Sequence, residues 1–137
     1  MIRRSKAVHG DVIQIPVDDT FAYVRVVHVS KHFRDVMQLE FRGFAPSYEQ
    51  LAPTTGIHRP RWTACTGFAK RGWNVVSAGE TSSDDGNLTF RIVANELWRC
   101  DELVRHATKR DTAEYPLMTV DGFIFLERWF LKQYNGA

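Results

Sequence analysis

The sequence GDVIQIPVDDTFAYVRVV, residues 10–27, contains two β-patterned runs joined by one acidic turn. β-Branched and aromatic residues dominate both runs, and Asp18, Asp19 and Thr20 between them are a turn signal. Pro16 lies in the first run, and because proline cannot donate a hydrogen bond to a strand ladder, we expect it at a strand edge or a bulge. The stretch therefore predicts a self-contained β-hairpin.

Further strands are predicted on the C-terminal side of this hairpin. Residues 35–44 alternate mostly between apolar and polar side chains, as a half-buried strand does. Residues 80–87 contain the residue types that tolerate turn geometry, and the run 88–93 after them alternates cleanly, so we interpret 80–87 as the tip of a second hairpin. Three more runs are candidate strands: residues 62–68, 73–78 and 115–120.

Helical patterns are fewer. Ser47 followed three residues later by Gln50 is a capping-box signature and predicts one short helical turn before Pro53. Residues 94–108 fit a single apolar stripe at helical spacing, and we interpret them as a helix capped by Asn95.

A C-terminal helix is the clearest helical prediction. Asp121 can cap its start, and Gly136 follows its end. Apolar residues occur almost all round this helix, so it must be buried on several sides or used at an interface, and we expect Phe125 and Trp129 in the core. The residues that recur at helical spacing are Phe123, Leu126, Phe130 and Tyr134.

Together these elements predict a single domain over residues 1–137. The expected fold class is α+β: a mostly antiparallel β-sheet, curled or partly barrel-like, with one or two helices including the C-terminal one. A chain of 137 residues can bury a core without disulfides or metal. Residues 54–60 are rich in turn formers and are expected to be a surface loop.

The composition argues against several classes of protein. A formal charge of +2 and a pI of about 8.7 lack the lopsided basicity of a dedicated nucleic-acid binder. Cys65 and Cys100 lie far apart and form no ligand-like pair, which is typical of a reducing cytoplasm. The basic start leads into no apolar run and no segment is long enough to span a bilayer, so we expect neither a signal peptide nor a membrane anchor.

The sequence gives only weak indications of catalytic or metal-binding residues. His28 and His32, with Asp35 nearby, could bind metal from one helical turn, but a strand there would keep the imidazoles apart. Cys65 is expected to be buried in a strand, and acidic neighbours would disfavour a thiolate at Cys100. The sequence contains no phosphate-binding glycine loop, nucleophile elbow or zinc-protease helix. We therefore expect no catalytic residue, no bound metal and no cofactor.

Basic and aromatic residues adjoin in two places, at residues 58–62 and 70–73. In one interpretation, Trp62 and Trp73 pack inward and the charges around them are solvated. In the other, the clusters hold phosphates and stack bases, as in a small-barrel endoribonuclease of the type II toxin kind.

Two acidic groups fall in predicted hairpin tips. One is Asp18 with Asp19, and the other includes Asp84 and Asp85. Both are either simply solvated or, if the tips point the same way, form an acidic rim suited to a basic protein such as a nuclease toxin.

The first hairpin resembles the immunity protein 26 family, whose members open with a Gly-Asp-x-x-x-Ile-Pro element followed by an aromatic strand. Residues 72–76 and 115–117 add weaker support, and the resemblance covers roughly a quarter of the chain. The residues that carry it most clearly are Gly10, Asp11, Ile15, Pro16, Ala22 and Tyr23.

This resemblance implies a cytoplasmic immunity protein, which binds a cognate toxin domain from neighbouring bacteria and occludes its active site or substrate surface without chemistry of its own. The runner-up is a small hydrolase of phosphotriester type, because members of this group have been labelled phosphotriesterases; a nucleic-acid-binding small barrel is the third. For the immunity function, the predicted partner-binding residues are Asp18, Asp19, Asp84 and Asp85 as rim charges, with Tyr48 and Trp62 as aromatic anchors.

Overall fold

The computed structural model of the chain describes residues 2–52 and 59–136. Its strands form two antiparallel sheets, and two α-helices follow them in the chain, which confirms the predicted α+β class and the C-terminal helix. The strands are β1 Val12–Val17, β2 Thr20–Val29, β3 Val36–Ala45, β4 Arg61–Ala64, β5 Asn74–Ser77, β6 Arg91–Val93, β7 Glu96–Arg99 and β8 Glu102–His106. The helices are α1 Lys109–Glu114 and α2 Phe123–Gly136, and short 3-10 turns occur at Tyr48–Gln50, Phe68–Arg71 and Asp85–Thr89.

The strand order is β4-β3-β2-β1-β5 in the first sheet and β6-β7-β8 in the second. Within the described residues the five-stranded sheet stays open and does not close into a barrel. The pairing of β2 with β3 shifts register twice, and such irregularities bend and twist the strands that contain them.

The predicted first hairpin is confirmed as β1 and β2. Asp18 and Asp19 form its two-residue turn. Asp18 has a φ of +51°, in the left-handed region that aspartate tolerates better than most residues. Pro16 lies beyond Gln14, the last β1 residue paired with β5, so it occupies an edge of the sheet as expected.

The main core lies between the five-stranded sheet and α2. Ile13 and Ile15 enter it from β1, because residues two apart share one face of a strand. Leu126 and Phe130 enter it from α2, since residues four apart share one face of a helix. Aromatic rings extend this interface: Phe41, Phe44, Trp129 and Tyr134. The packing decides which side of α2 faces solvent.

The helix predicted over residues 94–108 is wrong, because this segment forms β7, β8 and their turns. Ala94 and Asn95 have φ values of +48° and +67° and connect β6 to β7 as a tight turn. The helix-like spacing has a local cause: the neighbours Leu97 and Trp98 are both buried at a register shift, which interrupts the strand alternation.

The second predicted hairpin is also wrong. Residues 80–87 are not its tip, because Asp85–Thr89 is a 3-10 turn that packs against β2. The returning strand is limited to β6, which pairs with β7 and not with β5.

Residues 115–120 form a connection between the sheets instead of the predicted strand. Leu117 makes a single parallel bridge to Ile92 of β6, and Val120 makes another to Trp62 of β4. The segment therefore attaches the second sheet to an edge of the first.

Other local predictions are confirmed wholly or in part. The helical turn after Ser47 is confirmed, although the Ser47 hydroxyl bonds the Gln50 side chain and not the backbone. The strands predicted at 62–68 and 73–78 are shortened to β4 and β5. Most of the loop predicted at 54–60 lies outside the described residues. No helix in the described ranges combines the length and apolar character needed to cross a membrane.

Candidate partner-binding surface

Asp18 and Asp19 are exposed, as predicted, and lie against the C-terminal part of α2. The hydroxyl of Tyr134 on α2 donates to Asp19 Oδ1 at 3.0 Å. This bond to a carboxylate raises the pKa of the Tyr134 phenol. This bond connects the acidic turn to α2.

Asp85 is 3% exposed, so the prediction that it is a rim charge is wrong. Its two oxygens accept hydrogen bonds from both terminal nitrogens of the Arg25 guanidinium at 2.8 Å. His9 Nε2 lies 2.7 Å from Oδ2, and the Ser82 N–H donates to the same oxygen. Burial alone would raise the pKa of Asp85, but the bonds from Arg25, Ser82 and His9 hold it well below its usual range.

The two acidic groups do not form one rim. Asp18 and Asp19 lie at the β1–β2 turn, whereas Asp85 is bound to Arg25, which pairs with Val12 at the far end of the hairpin. Arg25 is five residues along β2 from the turn, or about 16 Å at the usual strand rise. Of the second group, only the neighbouring Asp84 is an exposed aspartate.

Tyr48 is half-buried, and its ring packs against Tyr23 with 5.6 Å between centroids. Its hydroxyl donates to Glu80 Oε1 at 3.3 Å. The side chain is partly available to a partner, and its role as an anchor stays a prediction.

The structure buries both tryptophans of the basic and aromatic clusters. Trp62 is 3% exposed, which contradicts its predicted use as an exposed anchor. Trp73 is fully buried, and its indole N–H donates to Glu127 Oε2 at 2.8 Å. Arg71 also pairs with Glu127, so this arginine supports the helix. The inward-packing interpretation is thus correct for these two rings, while His58 lies outside the described residues.

His28 and His32, the candidate metal ligands, have different partners. His28 Nε2 is 3.2 Å from Asp101 Oδ1, whereas the His32 ring packs against Trp98. The described ranges contain no group of three or more histidine, cysteine or acidic residues placed to hold a metal ion. Cys65 is buried as predicted, although it follows the end of β4 instead of lying in a strand, and burial raises the pKa of its thiol.

One face of α2 is exposed and rich in apolar side chains, which contradicts the expected burial of Phe125. Phe125 is 57% exposed and Ile124 is 53% exposed, while Trp129 packs partly against the core. Five exposed residues of this face fall within about 120° of the helix circumference, at 100° per residue. They are Ile124, Phe125, Arg128, Leu131 and Lys132.

A groove of about 670 Å³ adjoins the N-terminal end of this face. Phe125 and Leu117, which is 66% exposed, both line this groove. We call the five exposed α2 residues together with Leu117 the α2 surface. The groove is also lined by Arg59, Pro60, Arg61, Trp62, Tyr115, Pro116 and Asp121.

Two buried donors at this groove are unsatisfied within the described part of the chain. Neither Arg61 Nε nor Trp62 Nε1 has a hydrogen-bond partner there. The Arg61 guanidinium lies 3.9 Å from the centroid of the Trp129 ring, with Asp121 Oδ2 also at 3.9 Å, and burial lowers its pKa. The groove thus combines apolar side chains with the partly exposed Arg61 guanidinium, whose terminal nitrogens can donate to a carboxylate or carbonyl oxygen.

The all-round apolar character of the C-terminal helix was the sequence signal for this surface. It indicated a helix buried on several sides or used at an interface, but not which residues faced outward. Comparison of the chain with family models, curated proteins and solved structures gives no match in any of the three.

Proposed function

We propose that this chain is an immunity protein of the cytoplasm, which binds a cognate bacterial toxin domain and neutralises it by covering its active site or substrate surface. The contact is made by the α2 surface, with Asp18 and Asp19 at one end. The observation that carries the proposal is the group of exposed apolar residues along α2 and in the adjoining groove.

Exposed apolar side chains grouped on rigid elements support protein binding. Apolar patches surrounded by polar residues mark interaction sites, and aromatic residues and arginine are enriched in them. Phe125 and Leu117 supply apolar anchors, and the partly exposed Arg61 guanidinium supplies donors beside them. Such a mixture fits a polypeptide partner that presents apolar side chains together with oxygen acceptors.

The residues that carry the resemblance to the immunity protein 26 family lie at positions that stabilise the fold. Gly10 has a φ of +91°, and a Cβ there would lie 2.8 Å from Thr81 Cγ2. Asp11 is buried and accepts hydrogen bonds from the Val8 N–H and from Arg4. Ile15 belongs to the core. The resemblance therefore concerns residues that stabilise the fold. We assign the contacts with the partner to other residues.

Titration calorimetry against the toxin domain encoded beside the gene, made catalytically inactive, tests the proposal. We expect nanomolar binding, on the order of −12 kcal/mol. Replacing both apolar anchors, Leu117→Asp with Phe125→Asp, should weaken it by about a hundredfold or more, since buried anchors carry most binding energy.

A matched control uses the second sheet. Leu103→Asp with Val104→Asp changes two apolar residues that are also exposed, on β8. This variant should bind like the wild type. Absence of binding by the wild type contradicts the immunity proposal, and equal weakening by both variants contradicts the assignment to the α2 surface.

A further inference from the structure

A second pocket, of about 590 Å³, lies between the N-terminal segment and the loop that connects β2 to β3. Among the described residues, none lines both this pocket and the α2 groove. Four side chains that carry or can carry positive charge line it, namely Lys6, His9, Lys31 and Arg34.

The positive charges at this pocket are not neutralised locally. Lys6, Lys31 and Arg34 form no ion pair with any described residue. Asp35 is the one acid among the described residues that line the pocket. The pocket thus holds three cations against one carboxylate at neutral pH.

Three carboxylates near the pocket have partners of their own. Asp11 pairs with Arg4, and Asp85 pairs with Arg25 and His9. Asp101 accepts from the Ser30 hydroxyl at 2.5 Å and from the Lys31 N–H at 2.8 Å. These groups hold the walls in place. The charges of Asp11 and Asp85 are offset by Arg4 and Arg25, whereas Asp101 keeps its negative charge beside the pocket because Ser30 and the Lys31 N–H are neutral donors.

The backbone that carries the cations is held by tertiary contacts. Lys6 forms a backbone bridge with Thr66. Ser30, which is buried, donates to Asp101 and accepts from the Phe33 N–H at 2.8 Å, which closes the loop that carries Lys31 and Arg34. Only the side chains need to be ordered when an anion binds.

We propose that this pocket binds the phosphate group of a phosphorylated ligand. A phosphate offers several strong acceptors to converging ammonium and guanidinium donors, and a concave basic site concentrates such anions. Val8 and Val29 line the same pocket and give an apolar wall for the rest of the ligand. This site goes beyond the proposed toxin binding and does not depend on it.

Titration of the amide signals in the NMR spectrum of the full chain tests this site, with inorganic phosphate and pyrophosphate as probes. Saturable shifts confined to residues 6–9 and 29–35 are expected. The variant Lys31→Gln with Arg34→Gln should weaken binding by about tenfold or more, because each lost charged hydrogen bond costs about that factor. Both side chains are exposed, so the variant should keep the wild-type melting temperature.

The matched control is Lys109→Gln with Arg110→Gln, which removes the same charge from an exposed pair on α1. It should bind phosphate like the wild type. Equal weakening by both variants, or no saturable shift at millimolar phosphate, overturns the proposal.

Two further probes distinguish the source of the phosphate. A nucleoside 5′-monophosphate that binds at least as tightly as a short single-stranded RNA, with the same sensitivity to Lys31 and Arg34, indicates a free phosphorylated metabolite. RNA that binds much more tightly with the same sensitivity indicates the phosphate of a nucleic-acid backbone. RNA binding that is insensitive to the variant, together with no nucleotide binding, overturns the site.

Discussion

Arg25 and Asp85, sixty residues apart in the chain, form a doubly hydrogen-bonded ion pair in which both side chains are buried. Arg25 extends from β2 and also donates to Glu40 of β3 and to the Glu80 carbonyl. The pair therefore fixes the irregular segment before β6 against the first sheet. Asp85, which sequence alone suggested as a surface charge, is a structural residue.

Replacing Asp85 should destabilise the fold strongly. Asp85→Ala leaves the Arg25 guanidinium buried without its main partner, and breaking a buried pair costs about 3 kcal/mol or more. Urea unfolding measures the loss. The exposed neighbour supplies the control, because Asp84→Ala should change the free energy of unfolding by less than about 0.5 kcal/mol. Similar losses in both variants would contradict the burial of the pair.

The stability should depend on pH through Asp101. Burial would raise the pKa of this carboxyl, but bonds from Ser30, Lys31 and His28 lower it from 3.8 to about 2. Because the folded-state pKa lies below the unfolded one, the stabilisation is complete above 3.8 and is lost as the pH falls through about 2.

Asp101→Asn should therefore reduce the free energy of unfolding by about 1 to 2 kcal/mol at neutral pH, with the difference vanishing in strong acid. Denaturant unfolding at several pH values measures it. The adjacent exposed Glu102→Gln should show a much smaller effect at every pH. A constant difference between wild type and Asp101→Asn across the range would refute the role of this carboxylate.

The orientation of α2 can be tested with two neighbouring residues. Phe130→Ala removes a fully buried ring and should cost about 3 to 5 kcal/mol. Leu131→Ala alters the exposed face and should cost less than about 1 kcal/mol. The reverse order in thermal or urea unfolding would show that α2 presents a different face to the core.

Gly10 should tolerate substitution worse than Gly79, although both have positive φ. A Cβ at Gly10 meets Thr81 Cγ2 at 2.8 Å, whereas a Cβ at Gly79 meets nothing within 4 Å. Gly10→Ala should therefore lose more than the roughly 1 kcal/mol expected for the backbone conformation alone. Thr81→Ser in the same chain should recover part of the loss. Equal effects of Gly10→Ala and Gly79→Ala would argue against this close contact.

The sequence predicted the elements whose signals are local. The first hairpin combines a run of strand formers on each side with a two-residue acidic turn, and α2 combines helical spacing with length. Residues 94–108 misled the prediction because their turn at Ala94 and Asn95 contains no glycine or proline, and because Leu97 and Trp98 are adjacent and both buried. Tertiary packing overrode the apparent helical period there.

The candidate sites were harder to predict because they depend on distant contacts. Nothing in the local sequence around Asp85 indicates that this residue forms an ion pair with Arg25. The exposure of Phe125 follows from the sheet, which covers one face of α2 and leaves the other uncovered. The basic pocket combines residues 6–9 with residues 29–35, which β1 and β2 bring together.

Growth of cells that produce the active toxin domain together with this protein tests the central claim most directly. The account predicts that the wild type and Leu103→Asp with Val104→Asp restore growth, while Leu117→Asp with Phe125→Asp does not, at equal levels of folded protein. Cells that die with the wild type present, or survive equally with the variant of the α2 surface, would contradict it.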